Sequence, residues 1–380
     1  MSSEHFPIPF NRPSLAGREL EHLQKAVAAG HISGDGEYAR KCAGFLSKRC
    51  GAGAVMLTPS CTAALEMTAL LLDLRPGDEV VMPSFTFVST ANAYALRGAV
   101  PVFADIRPDT LNLDETRLEE AFTSRTRAVV VVHYGGVGCE MDAICRAAAL
   151  RGLAVVEDNA HGLGGFYRGR PLGSLATMAA LSFHETKNLS CGEGGALLLH
   201  DSSLVEQAEI IRDKGTNRRK FLSGAVDKYT WVGLGSSYVM SDLLAAYLWG
   251  QLECMDQIMQ RRKVLWNRYA EGLKSWAEKS GVQLPVVPAH CASAHHLFYL
   301  LLPTPQARGR FLDHMRSHGC LAVFHYQPLH LSPMARNRSG FRPLPVTERV
   351  SSCLARLPFF TGMTDAEQAR VMEAVEAFRP

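Results

Sequence analysis

Short apolar runs alternate with stretches of helical spacing through the first two-thirds of the chain. Runs at 54–57, 78–82, 101–105, 128–132, 153–158, 178–183 and 195–199 read as buried strands. Between them, residues 37–50, 60–72, 113–122 and 141–151 carry apolar positions at helical spacing. A further helix over 14–30 is predicted from Leu20, Leu23 and Val27, with a stop at Gly30. Strand and helix in alternation predict an α/β domain built on a mostly parallel sheet, whose ligands gather at the carboxyl ends of the strands. Ser241 caps a long helix with Leu244, Leu248 and Leu252 on one face, and the domain change is placed along it. Residues 1–251 then form a large domain and 252–380 a smaller α+β domain, with apolar runs at 297–302 and 321–325 and helices over 307–318 and 365–378.

Three strand ends carry candidate chemistry: Phe87, Asp158 and Lys187. Lys187 lies in SFHETKNLSCGEGG, between an apolar run and a glycine-rich turn, so it is expected in a loop facing a pocket. A lysine whose pKa is lowered there attacks carbonyls as a neutral amine and forms an imine; an arbitrary loop lysine is merely solvated. Asp158 closes LAVVED. It reads either as a helix N-cap or as a carboxylate that keeps a ligand's ring nitrogen protonated. His161 and Phe87, taken singly, read as a satisfied polar residue and a core residue. In TPSCTAALEM, Ser60 and Thr62 open a helix. Its free N–H groups and dipole suit an anion, although the stretch alone reads as an ordinary cap. The histidines at 325 and 330 fit a packed loop or a pocket wall, and spacing does not decide between them.

Composition narrows the field. The chain has 380 residues, 47% of them hydrophobic, and a net charge of +3 with both signs interspersed. Nothing points to nucleic acid beyond Arg218-Arg219-Lys220 and Arg261-Arg262-Lys263, which read as solvated faces. No apolar segment is long enough for a bilayer, and the first residues lack a basic region followed by an apolar one. The protein is therefore expected in the cytoplasm, away from membranes. Ten cysteines without a CxxC pair or zinc-type spacing predict reduced thiols and no metal. No complete GxGxxG supports a nicotinamide or flavin site.

The ordered set PSCTAALEM, PSFTFVSTAN, EDNAHG, SFHETKN with GEGG, and SSYVMSDLLAAY resembles the DegT/StrS family of nucleotide-sugar aminotransferases across nearly the whole chain. The resemblance implies a fold type I enzyme that uses pyridoxal 5'-phosphate and works as a homodimer with shared sites. It implies that Lys187 forms the imine to the cofactor and that Asp158 pairs with the pyridinium nitrogen. His161 would approach the phenolic oxygen and Phe87 stack on the ring. Cys61, Thr62 and Ser182 would hold the phosphate, with Ser237 reaching it from the neighbouring subunit. His184, His325, Tyr326 and His330 are the candidates for substrate contact. The implied reaction moves an amine from L-glutamate to a dTDP-4-keto-6-deoxyhexose. Alternatives are transfer at another carbon or nucleotide, and a regulator that binds the cofactor without turnover. Lysine at 187 argues against the family's dehydratase branch, in which histidine stands there. Two positions depart from the usual pattern: Ser237 replaces an asparagine, and Asn159 replaces an alanine.

Overall fold

In the computed structural model, which describes residues 6–337 and 342–380, the seven apolar runs form one seven-stranded sheet. In chain order its strands are β1 (Ala54–Thr58), β2 (Glu79–Pro83), β3 (Val100–Ala104), β4 (Thr126–Val132), β5 (Ala154–Asp158), β6 (Met178–Ser182) and β7 (Gly195–Leu199). Their spatial order is β1-β7-β6-β5-β4-β2-β3. All neighbouring pairs are parallel except those made by β7, which runs against both β1 and β6. The reversal brings Gly195, the first residue of β7, beside Thr58 and Ser182, the last residues of β1 and β6.

The strands are continuous apolar runs because helices cover both faces of the sheet. On β4, Ala128 and Val130 pack with α3 (Cys61–Leu71) and α4 (Val88–Ala95), whereas Val129 and Val131 pack with α5 (Met141–Ala149). Side chains at alternate strand positions point to opposite faces, so a period of two divides one valine run between two cores.

Some expectations change. In α1 (Glu19–Ala28), Leu20 and Val27 face outward; Glu19, His22 and Ala26 form the buried side. That side lies on the helix Asp242–Glu253, and a Cβ on Gly250 would strike the backbone of Glu19. The Glu19 carboxylate accepts from the N–H groups of Ala16 at 2.6 Å and Gly17 at 2.9 Å, which satisfies it in that close contact. The helix expected over 113–122 is a tighter 3-10 turn, Glu115–Ala121, capped by Asp114. Arg262 is not solvated. Its helix, Met255–Gly272, turns it inward, where it donates to the carbonyl of His295 at 3.0 Å and lies over the Phe359 ring.

A second core gathers Leu265, Tyr269, Phe298, Phe311, Val371 and Val375, together with Ile8 from the N-terminal segment. Met255 and Ile258 still belong to the first side, so the change of core falls inside Met255–Gly272. That is one helix later than the sequence places it. The last helix, Asp365–Ala377, begins with a reciprocal capping box between Thr364 and Glu367. Among the described residues no helix is long and apolar enough to cross a membrane.

Candidate active site

The carboxyl ends of β1, β2, β5 and β6 open into one cavity of about 450 Å³, closed from the other side by residues 296–297, 325–326, 356 and 359. Phe10 and Asn11 also line it. Lys187, Asp158, His161, Phe87, Cys61, Thr62, Ser182, His184, His325 and Tyr326 all face this space.

Asp158 is buried at the end of β5. Its Oδ2 accepts from the Thr90 hydroxyl at 2.7 Å and its Oδ1 from the N–H of Ala160 at 3.2 Å. Burial raises its pKa, and these donors only partly offset that, so the site favours a cationic partner for this carboxylate. Lys187 sits in the hairpin between β6 and β7, where its N–H donates to the carbonyl of His184 at 2.9 Å. Its amine is half-buried, and burial pulls its pKa below the ordinary lysine value. A lowered amine pKa is what nucleophilic attack on a carbonyl requires.

At the other end, Ser60 caps α3 by accepting from the N–H of Ala63 at 3.1 Å. The N–H groups of Cys61 and Thr62 stand in the first helical turn, where no intrahelical acceptor exists for them. Thr62 donates its hydroxyl to Ser89 at 2.8 Å. A Cβ on Gly195 would fall 2.5 Å from the Cys61 nitrogen and would also strike Ser60, so only glycine lets β7 pass under this helix start. Phe87, exposed and at the N-cap of α4, presents its ring to the cavity. A nucleophilic amine, a buried acid, an aromatic face and a helix N-terminus thus surround a space that fits a flat, anion-tailed heterocyclic aldehyde.

Opposite lies a packed aromatic wall. His161 stacks on His296 with ring centroids 4.2 Å apart, and His325 lies against Tyr326 at 3.4 Å with the rings tilted by 33°. The N–H of Gly135 points at His161 Nδ1 from 3.4 Å, which assigns the imidazole proton to Nε2, 3.5 Å from the Tyr326 hydroxyl. Burial lowers the pKa of His161, His296 and His325 well below the ordinary value and that of His295 to about 4. Each is therefore neutral in the fold near pH 6 but takes a proton in the unfolded chain. Below about pH 6.5 the unfolded state binds more protons, and stability falls at about 1.4 kcal/mol per pH unit for each excess proton. Asp158 and Glu209, whose pKa values burial raises, act in the opposite sense, but they are two groups against four. The melting temperature is expected to drop by several degrees from pH 7 to pH 5; a flat calorimetric profile there would contradict this.

Two candidates stand away from the cavity of their own chain. Ser237 is exposed, its backbone bridged to Asp213. His330 is buried elsewhere: its Nδ1 is 2.7 Å from the Ser84 hydroxyl and its Nε2 3.2 Å from Glu348. It ties its loop to the residue that follows β2 and does not line this cavity. Asn159 now has a physical reason. Its amide donates to the carbonyl of Leu172 at 2.9 Å, and it packs where Gly162 and Gly173 leave no room for a Cβ.

Sequence reasoning missed Thr90, Glu193, His296 and Arg356, all of which face the cavity. Thr90 comes from the first turn of α4, His296 from an irregular loop and Arg356 from a short strand, Leu354–Arg356. The one readable signal was a lone arginine inside the apolar run of residues 353–360.

The comparisons agree with this construction. An aminotransferase, TlmJ, from Streptoalloteichus hindustanus is 30% identical, with a TM-score of 0.88 over 97% of each chain. DesV from S. venezuelae is also 30% identical, with a TM-score of 0.88 over 97% of each chain. A putative sugar aminotransferase from Streptococcus pneumoniae in its PMP form is 25% identical, with a TM-score of 0.89 over 97% of this chain and 98% of that one. Residues 13–376 match the DegT/DnrJ/EryC1/StrS aminotransferase family, and the chain belongs to that family of pyridoxal-phosphate-dependent enzymes.

Proposed function

We propose that the protein transfers the amine of L-glutamate to C4 of dTDP-4-keto-6-deoxy-D-glucose, giving dTDP-4-amino-4,6-dideoxy-D-galactose. The observation that carries amine transfer is the convergence of the Lys187 amine and the buried Asp158 carboxylate on one cavity that a helix N-terminus also enters. The choice of sugar rests on GDGEYAR, LTPSCTAALEM, SFHETKN, DKYTWVGLGSSY and FHYQPLH, which resemble the transaminase that makes this amino sugar.

Pyridoxal 5'-phosphate supplies an electron sink and carries the nitrogen between the two substrates. The N–H groups of Cys61 and Thr62, with the Ser182 hydroxyl, would hold its phosphate. Asp158 would keep a proton on its ring nitrogen, Phe87 would cover one ring face, and neutral His161 would donate from Nε2 toward its phenolic oxygen. Lys187 would hold the cofactor at rest through Nζ. Freed from that bond, Nζ would serve as the base that takes the proton from the α-carbon of glutamate and as the acid that delivers one to C4 of the sugar, with water supplying the oxygen of the departing 2-oxoglutarate. His184, His325 and Tyr326 face the substrate.

The protein acts as a homodimer in which Ser237 completes the phosphate site of the partner subunit. Leu20, Val27, Ile32, Trp231 and Leu234 are all more than half exposed in the single chain, an apolar surface suited to a second copy. A single monomeric species in sedimentation at micromolar concentration would refute this. The ten cysteines are free thiols, which suits a cytoplasmic site of action.

The deciding experiment incubates the protein with L-glutamate and a set of nucleotide keto-sugars and locates the nitrogen by NMR. Nitrogen at C4 with the galacto configuration is expected. Nitrogen at C3, or acceptance only of other nucleotides, would overturn the assignment.

A further inference from the structure

Arg356 is the one strong cation of the cavity that the chemistry above leaves without a task. Its backbone is locked, because Arg356 and Val323 exchange both N–H···O bonds, at 2.7 Å and 3.1 Å. Its guanidinium lies over the ring of Phe10, 4.5 Å from the centroid, and one Nη donates to the carbonyl of Phe324 at 3.3 Å. Its Nε is buried with no hydrogen-bond partner, and among the described residues no carboxylate pairs with it. Buried guanidinium groups are normally paired, since five N–H donors taken from water need acceptors. Arg107 and Arg212 each have a carboxylate within 3 Å, and buried Arg262 fills its donors with the carbonyls of His295 and His296 and the Thr361 hydroxyl. Arg356 instead lines the cavity on a rigid mount, with no carboxylate set against it.

We infer that Arg356 is the receptor for a carboxylate of the amino-acid donor, and that it sets the enzyme's choice of amine source. A guanidinium matches a carboxylate through two parallel N–H···O bonds, a geometry an ammonium cannot reproduce. The substrates offer two kinds of anion: the carboxylates of the donor and the diphosphate of the sugar nucleotide. Position favours the first. Arg356 lines the same cavity as Lys187 and His325, and its Nη is bonded to the residue that precedes His325, so the guanidinium shares the space of the reacting end. A donor carboxylate is bonded to the carbon that loses its amine, whereas a hexose ring separates the diphosphate from C4. The assignment rests on the amine-transfer reading and adds the recognition of its first substrate.

The test separates the two half-reactions. Wild-type holoenzyme, Arg356→Lys and Arg356→Met are titrated calorimetrically with glutarate, a dicarboxylate that cannot react, and with dTDP. The spectral change on adding L-glutamate, and its reversal by keto-sugar, are followed separately. Arg356→Met is expected to weaken glutarate binding and slow the glutamate half on the order of 10²-fold, the usual consequence of truncating a charged pair. Arg356→Lys should lie between, with dTDP binding and the sugar half within about threefold of wild type. Loss of dTDP binding with glutarate binding intact would assign the arginine to the diphosphate and overturn the inference, as would unchanged binding of both. If Arg356→Met does not fold, Arg356→Lys alone decides through the same ratio of the two ligands. Failure of the wild type to react with any amino acid would instead remove the amine-transfer reading, a distinct outcome.

Discussion

Replacing Lys187 with alanine is expected to lower turnover by at least about 10⁴-fold, because one side chain performs both the imine exchange and the proton transfers. The fold should hardly register the change. Lys187 is half-buried and, among the described residues, makes no close ion pair; its removal takes from Asp158 only a longer-range attraction, a minor influence beside the burial of that acid. Its amine is disfavoured there by burial, and alanine relieves that cost. The variant should therefore melt at or slightly above the wild-type temperature and still retain the cofactor on gel filtration. Added primary amines should recover a small fraction of the rate. Steady-state turnover above about 1% of wild type, without added amine, would exclude Lys187 from both roles.

Asp158→Asn should separate stability from activity in the same way. The carboxylate pKa is raised by burial, so in the empty pocket at neutral pH the fold carries a charge it disfavours. Asparagine keeps the shape, still accepts at one oxygen and removes the charge, so the cofactor-free variant is expected to gain thermal stability. Turnover should fall by about 10²–10³-fold, because a neutral amide cannot hold a proton on the cofactor's ring nitrogen as the carboxylate does. The Thr90 hydroxyl, 2.7 Å from Oδ2, sets the acid's position. Thr90→Val should push the pKa of Asp158 higher still and reduce turnover by a smaller factor. An Asp158→Asn enzyme with wild-type kcat would remove the ring-nitrogen role, and an unfolded one would show that the acid is structural.

The parallel strands and their covering helices were legible because each strand is buried on both faces. Val129, Val130 and Val131 are fully enclosed, and such a run leaves its mark as unbroken apolar sequence. Asp158 was legible because it ends such a run at the edge of the sheet, and Lys187 because it follows one in a glycine-rich turn. The reversed direction of β7 was not, since direction depends on which strands pair and not on their composition. The buried face of α1 was not legible, because hydrophobic spacing does not say which partner an apolar stripe awaits. Here Leu20 and Val27 are outside, while Glu19 is buried with its acceptors filled.

By itself, then, the amino-acid sequence determined the strand-ending lysine and acid, the helix start that suits an anion, and the family to which their order belongs. Those features are local, and each is held within a few residues. Only the tertiary structure decided that His330 locks a loop while His296 and Arg356 enter the cavity. It alone decided that four imidazoles are held neutral and that the guanidinium at the cavity wall, Arg356, keeps a donor without a partner. Burial and hydrogen-bond partners set those properties, and the partners lie tens to hundreds of residues away along the chain.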